Sequence, residues 1–303
     1  MALKSILKKI VKKVLKIEKS SPFPSFVPPT VFVNRGNSIE QLNLTTQYKL
    51  LYKADPSEKV LLSQTGFSCY SQHEEDGILL FIFSLIGVEN KKCVEICAGT
   101  GIECNTANLI IHHKWIGLLC DGNPDNIAIA KEFYKNFPTT QIWPPKIQHA
   151  WISLDNVNNL IKDNGFEGEI DLLSLDIDGI DYWLWKGINI INPRVIVLEI
   201  NHLWGPEKSV SVPYKPDFKA EFTEYGSDYA GASIAAFVKL GKEKGYRLVG
   251  TNAFATNAFF IREDIKHDWL PEVSPNSCFD HPRAKFGMEV RLPKVKDKEW
   301  VNI

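Results

Sequence analysis

Residues 91–122 read KKCVEICAGTGIECNTANLIIHHKWIGLLCDG. A short apolar run, Cys93 to Ile96, meets the small-residue turn Cys97, Ala98, Gly99, Thr100, Gly101. A helical stretch follows, and a second apolar run then ends in Asp121 and Gly122. Short β-branched runs alternating with helical segments predict parallel strands joined by helical crossovers. In such a sheet, ligands bind beyond the carboxyl ends of the strands, so the residues closing each run carry the interest. Glycine in a strand-to-helix turn lets a ligand approach the backbone closely, although tight turns also need glycine for geometry alone. Asp121 lies twenty residues after Gly101, the offset at which an acid accepts hydrogen bonds from ribose hydroxyls. Turn and acid together predict a nucleoside site.

The alternation extends in both directions. Upstream, SQHEEDGILLFIFSLIG predicts a helix with Ser71 as cap, Glu74, Glu75 and Asp76 in its first turn, and Gly87 as its stop. Downstream come NPDNIAIAKEFYKNF, KIQHAWIS, LDNVNNLIKDNG, IDLLSLDID, YWLWKGIN, PRVIVLEIN and GASIAAFVKLGKEKG. The last two strands, Tyr246 to Thr251 and Asn257 to Arg262, are joined by a few residues and predict an antiparallel hairpin. The fold class is α/β, a doubly wound, mostly parallel Rossmann-like sheet with that hairpin at its C-terminal end.

The chain has 303 residues, 44% hydrophobic and 23% charged, with 35 basic and 36 acidic side chains. This excludes disorder throughout, and a net charge of −1 gives no reason to expect nucleic acid. The longest apolar run, Gly77 to Val88, is too short for a bilayer span. The six cysteines lack zinc-site spacing, Cys93 and Cys97 standing as CxxxC. They predict free thiols in a reducing, cytoplasmic setting.

Residues 1–19, MALKSILKKIVKKVLKIEK, alternate an apolar stripe with a lysine face. The pattern suits a helix lying on an anionic membrane surface, peripheral at the inner face, and equally one packed on the protein's own body or on a second copy. Residues 20–60 follow as an extended linker, proline-rich at first; 61–266 form the main domain, and 267–303 a tail. Within the domain, the long connection 202–231 predicts a lid or acceptor-binding insertion, with Trp204, Tyr214 and Tyr229 suited either to stacking on sugar rings or to packing.

A dinucleotide needs GxGxxG to seat its pyrophosphate, whereas this turn is flanked by Glu95 and Glu103. Acids there repel a pyrophosphate and favour the ammonium and sulfonium of S-adenosylmethionine. The strings SQHEEDGI, VEICAGTGIECNTANL, WIGLLCDGN, LLSLDIDGIDYWLWKGI and GASIAAFVKLGKEKGYRLVGTNAFATNAFF resemble FkbM-type and related class I S-adenosylmethionine-dependent methyltransferases, over about Tyr70 to Asp264. Five parallel strands and a hairpin match that fold's inventory. The resemblance implies that Glu95, Gly99 and Gly101 hold the donor's amino-acid end, with Cys97 beside them. It further implies that Asp121 and Gly122 hold the ribose, and that Ala150 and Trp151 flank the adenine. Cys97 departs from the pattern, which has glycine there. The family's association with surface glycans and lipid-linked sugars implies a sugar-hydroxyl acceptor; a protein or RNA acceptor, or a non-catalytic scaffold with a degenerate site, are the alternatives.

Alternation puts Asp176 and Asp178 on one face at the fourth strand's end, and Glu199 and Asn201 on one face at the fifth. Asp176, Glu199 and Asn201 are candidate ligands for Mg²⁺, which would acidify a sugar hydroxyl. The alternative is that Asp176 binds the donor and Glu199 caps or pairs. His202, directly after the fifth strand, is the candidate general base together with Asp178, a structural histidine being the plainer reading.

Overall fold

The computed structural model describes residues 37–58 and 60–303. The expected basic helix over 1–19 and the first part of the linker lie outside the described residues. The second part of that linker is helical. Helix α1 spans Ser38–Ala54, correcting both the extended 20–60 segment and the domain start at 61. Its N-terminus is capped by Asn37, whose side chain accepts from the Ile39 amide, and no proline or glycine interrupts it. The polarity is inverted: Ile39, Leu42 and Leu50 are exposed, while the polar Gln41 is buried and exchanges hydrogen bonds with Asn108.

Helix α2, Glu75–Ile86, is buried along most of its length. The cap position is Glu74, not the expected Ser71; the Ser71 hydroxyl still accepts from the Asp76 amide, and the helix starts later because the chain first turns around the Asp76 carboxylate. One oxygen of Asp76 accepts from the amides of Cys69, Tyr70 and Ser71.

The rest follows the predicted alternation with one addition: β1 Lys92–Ile96, α3 Ala107–His113, β2 Ile116–Asp121, α4 Pro124–Phe133, α5 Pro138–Ile142, β3 Lys146–His149, α6 Val157–Asp163, β4 Gly168–Leu175, α7 Asp181–Gly187 and β5 Ile191–Glu199. The short helix α5, between α4 and β3, is that addition. The 202–231 connection then carries β6 Val210–Ser211 and a hairpin of β7 Glu221–Thr223 with β8 Gly226–Tyr229. Helix α8 Ile234–Lys244, β9 Tyr246–Thr251 and β10 Asn257–Arg262 complete the sheet. Helix α9 Pro282–Phe286 and β11 Val301–Asn302 lie in the C-terminal segment.

The seven-stranded sheet has the order β3-β2-β1-β4-β5-β10-β9. The first five strands are parallel, and β10 runs antiparallel between β5 and β9. The α/β fold with a mostly parallel sheet and an antiparallel C-terminal hairpin is therefore the one observed. Its central strands are buried on both faces, as crossover helices require. One face, with Val94, Ile96, Leu118 and Cys120, forms a core with residues of α6, α7 and α8. The strand order reverses between β1 and β4, which places the crevice for a ligand over their carboxyl ends.

The segment 267–303 is not a loose tail. Trp269 and Leu270 are buried, β11 pairs with β6, and Arg291 forms a buried ion pair with Asp228 of β8. The free cysteines are as expected. Among the described residues no helix is long and apolar enough to cross a membrane.

Candidate functional site

The turn after β1 holds three residues at positive φ: Cys97 (+66°), Gly99 (+55°) and Gly101 (+69°). At Gly99 a Cβ would meet nothing within 4 Å, so the backbone there is open. Gly101 is needed for contact, since a Cβ would sit 3.0 Å from the Tyr134 ring. Cys97 accepts the left-handed conformation at a cost of about 1–2 kcal/mol relative to an ordinary backbone. This explains why glycine suits that position. Burial and the Asp121 charge push the Cys97 thiol upward, so it is held as a neutral SH.

Glu95 does not reach this opening. It is buried, and its carboxylate accepts from the amides of Asn105 and Thr106 just before α3. The expectation that it holds the amino-acid end of a donor is corrected: its position within β1 points it at the helix start, where it satisfies amides that would otherwise lack acceptors.

Asp121 stands where expected. Its Oδ2 accepts from the Gly99 amide at 2.9 Å, and its Oδ1 from the Asn123 amide at 2.8 Å and Asn126 Nδ2 at 3.0 Å. The carboxylate thus ties the β1 turn to the end of β2. Asp121, Cys97, Gly122, Ala150 and Trp151 line one cavity of about 90 Å³. Trp151 packs close to Gly122, where a Cβ would lie 3.0 Å from the indole, and its Nε1 donates to the Pro216 carbonyl at 2.8 Å. Phe218 closes the slot, with its ring over Gly179. Phe218 and Pro216 went unrecognised in the sequence, where the only signal was the length of the connection carrying them. Trp204, Tyr214 and Tyr229 line neither this cavity nor the neighbouring one. Trp204 and Tyr229 pack on Trp300, and the Tyr214 hydroxyl accepts from the Leu154 amide.

The loop from β4 to α7 divides two cavities. Ile177 and Gly179 line the first, whereas Asp176 and Asp178 line a second of about 270 Å³. Asp181 fixes this loop by accepting from the amides of Ile177 and Gly179 at 2.9 and 3.0 Å, and burial pushes its carboxyl up to about 6. Asp178 is exposed, with a φ of +50°. Asp176 and Glu199 stand close enough to act on each other. Both carboxyls are raised, by burial first and by neighbouring acids second, because two adjacent carboxylates out of water do not ionise independently.

Asn201 is elsewhere engaged. Its Nδ2 donates to the carbonyls of Asp228 and Ala230, and its Oδ1 accepts from the Leu203 amide. With the amide consumed by backbone, the expected set Asp176, Glu199 and Asn201 does not converge on a metal. No group of three or more His, Cys, Asp or Glu side chains is arranged to hold one among the described residues. The residues do not fit Mg²⁺.

His202 is also corrected as a base. It lines the second cavity but is buried, with Nε2 unpartnered and set against Gly287, where a Cβ would come within 2.8 Å of that nitrogen. Burial, followed by the charges of Arg283 and Arg291, pulls it down to about 3, too low for an effective proton acceptor at neutral pH. Arg283, Arg291 and Asp228 complete the cavity. Sequence reading missed all three, since nothing local marks a distant arginine as facing the strand tips.

No family model matches the chain, and no curated protein matches it in sequence. Its fold is similar to several solved structures. One is an S-adenosylmethionine-dependent methyltransferase from Clostridium acetobutylicum ATCC 824, 11% identical, covering 72% of this chain and 98% of the other, with a TM-score of 0.38. The N-terminal domain of EvdMO1 with SAH bound is 14% identical, covering 73% and 94%, at a TM-score of 0.42. The CcbJ methyltransferase from Streptomyces caelestis is 9% identical, covering 63% and 90%, at 0.41. Likeness at this level assigns no chemistry, and the reading of the site rests on its own geometry.

Proposed function

We propose that this chain is an S-adenosylmethionine-dependent O-methyltransferase of the FkbM type, acting on a sugar hydroxyl of a glycan or lipid-linked saccharide. The observation that carries the reading is the pairing of cavities across the 176–179 loop at the switch point of the sheet. One is a slot between Trp151 and Phe218 with Asp121 at its edge, suited to a nucleoside. The other is polar and acid-lined, suited to a hydroxylated acceptor. The donor fits the residues present: the backbone over Gly99 is open, and the second contact on Asp121 Oδ2 is the weak Cys97 thiol at 3.7 Å, which a ribose hydroxyl can displace.

When bound, S-adenosylmethionine supplies an electrophilic methyl on a cationic sulfur. The chain's residues supply position and charge. Asp121 orients the ribose, Trp151 and Phe218 exclude water from the base, and the acids of the 176–181 loop favour a cation beside them. Asp178, exposed into the second cavity, takes the acceptor's hydroxyl proton. The lysine-faced stripe of residues 1–19 brings the body to an anionic membrane surface, where lipid-linked acceptors lie.

The test is calorimetric titration of S-adenosylhomocysteine into the full chain. Micromolar binding is expected, and an intact fold with no binding overturns the reading.

A further inference from the structure

The second cavity has walls of opposite charge. Asp176, Asp178 and Glu199 stand at the ends of β4 and β5, and two guanidinium groups reach it from the C-terminal segment. Arg291 has its counter-ion, with Nε and Nη2 both donating to Asp228 Oδ1. Arg283 differs. It is half-buried, its Nη1 donates to the Phe254 carbonyl at 3.3 Å, and among the described residues no carboxylate lies within ion-pair distance of it. A guanidinium carries five donors, and a partly desolvated cation left without a counter-ion is costly. A second unmet group lies in the same cavity: Asn257 is buried, and its Oδ1 has no partner.

The two walls ask for a molecule with two kinds of polar group. Hydroxyls donate to the strand-tip acids, and an anion accepts from Arg283. The glycine turn contributes no residue to this cavity, since Cys97 and Asp121 line the other one. Arg283 therefore stands on the acceptor side of the 176–179 loop, away from the nucleoside slot. Glu199 and Asp228 act on Arg283 through space without pairing with it, and its remaining donors are open to an anion.

Resting on the methyl-transfer reading, we propose that the acceptor is an acidic sugar, carrying a carboxylate or phosphate that Arg283 binds while a hydroxyl of the same molecule sits at Asp178. Arg283 then determines specificity, and the neutral sugar is the poorer ligand.

The experiment titrates D-glucuronate, glucose 6-phosphate and methyl β-D-glucoside into the full chain saturated with S-adenosylhomocysteine, using wild type, Arg283→Gln and Arg283→Lys, each checked by thermal melt. At least one anionic sugar is expected to bind wild type tenfold or more tightly than the glucoside, in line with a charge-assisted contact. Which one does so identifies the anion. Arg283→Gln is expected to erase the difference, Arg283→Lys to keep part of it, and neither to move S-adenosylhomocysteine affinity by more than twofold. The proposal is overturned if no anionic sugar exceeds the glucoside, undetectable binding of all three included, or if the preference survives Arg283→Gln. It also falls if Arg283→Gln weakens S-adenosylhomocysteine instead, which would assign the guanidinium to the donor's carboxylate. Failure of S-adenosylhomocysteine to bind wild type would remove the methyl-transfer reading, and the sugar titrations without it would still score Arg283.

Discussion

Replacing Asp121 with asparagine keeps the side chain's size and removes its charge. A carboxylate offers about four acceptor sites; Asn123 and Asn126 fill Oδ1, while the Gly99 amide and, weakly, the Cys97 thiol at 3.7 Å share Oδ2. A ribose hydroxyl reaching Oδ2 displaces the weak thiol contact. The asparagine carbonyl must stay with Asn123 and Asn126, which turns its NH₂ toward the Gly99 amide, donor against donor. Losing one charge-assisted hydrogen bond to the ligand costs about 1.5–3 kcal/mol, or roughly 10- to 150-fold in affinity. Leaving the Gly99 amide unpaired costs the fold about 1–3 kcal/mol more. Calorimetry with S-adenosylhomocysteine reads the first effect, and a thermal melt reads the second. A lowered melting temperature with donor affinity changed less than threefold would refute the ribose role and leave Asp121 as a tie between the two strand ends.

Other consequences can be checked on the same protein. Because Asp176 and Glu199 are raised, the folded state prefers at least one of them protonated, so their contribution to stability is present at low pH and is lost as pH rises from the ordinary carboxyl range through the folded values. Glu199→Gln should therefore raise the melting temperature more at pH 8 than at pH 5; an equal rise at both pH values would contradict the raised carboxyl. Cys97→Gly should relieve the positive φ and stabilise the chain by up to about 1 kcal/mol, with donor binding retained, and a destabilised variant would show that the thiol makes a contact worth more than the strain. Removing residues 1–19 should abolish co-flotation with anionic liposomes while leaving S-adenosylhomocysteine binding unchanged, and equal flotation of both forms would dispose of the membrane role.

The elements that were legible share a cause. Runs such as Val94 to Ile96 and Val195 to Leu198 are buried on both faces, so their composition alone marks them as central strands, and the hairpin followed from the short link between β9 and β10. Helix α1 was hidden because its exposed residues are apolar and its buried contact is Gln41, the reverse of the usual stripe. The short helix α5 and the β7–β8 hairpin were missed as well, neither carrying a repeating apolar pattern long enough to read.

For the site, the amino-acid order by itself determined which positions close each strand, and hence that Asp121, Asp176, Asp178 and Glu199 gather along one edge of the sheet. That much follows from local backbone preference and the connectivity of a parallel sheet. Only the tertiary structure decided which of those polar groups are already occupied. Glu95, Asn201 and Asp181 look alike in sequence to their neighbours, yet each is consumed by backbone amides or carbonyls, while Arg283 arrives from a remote segment with donors to spare. A hydrogen-bonding group is defined by what it meets in space, and those encounters are set by the packing of distant segments rather than by the residues on either side.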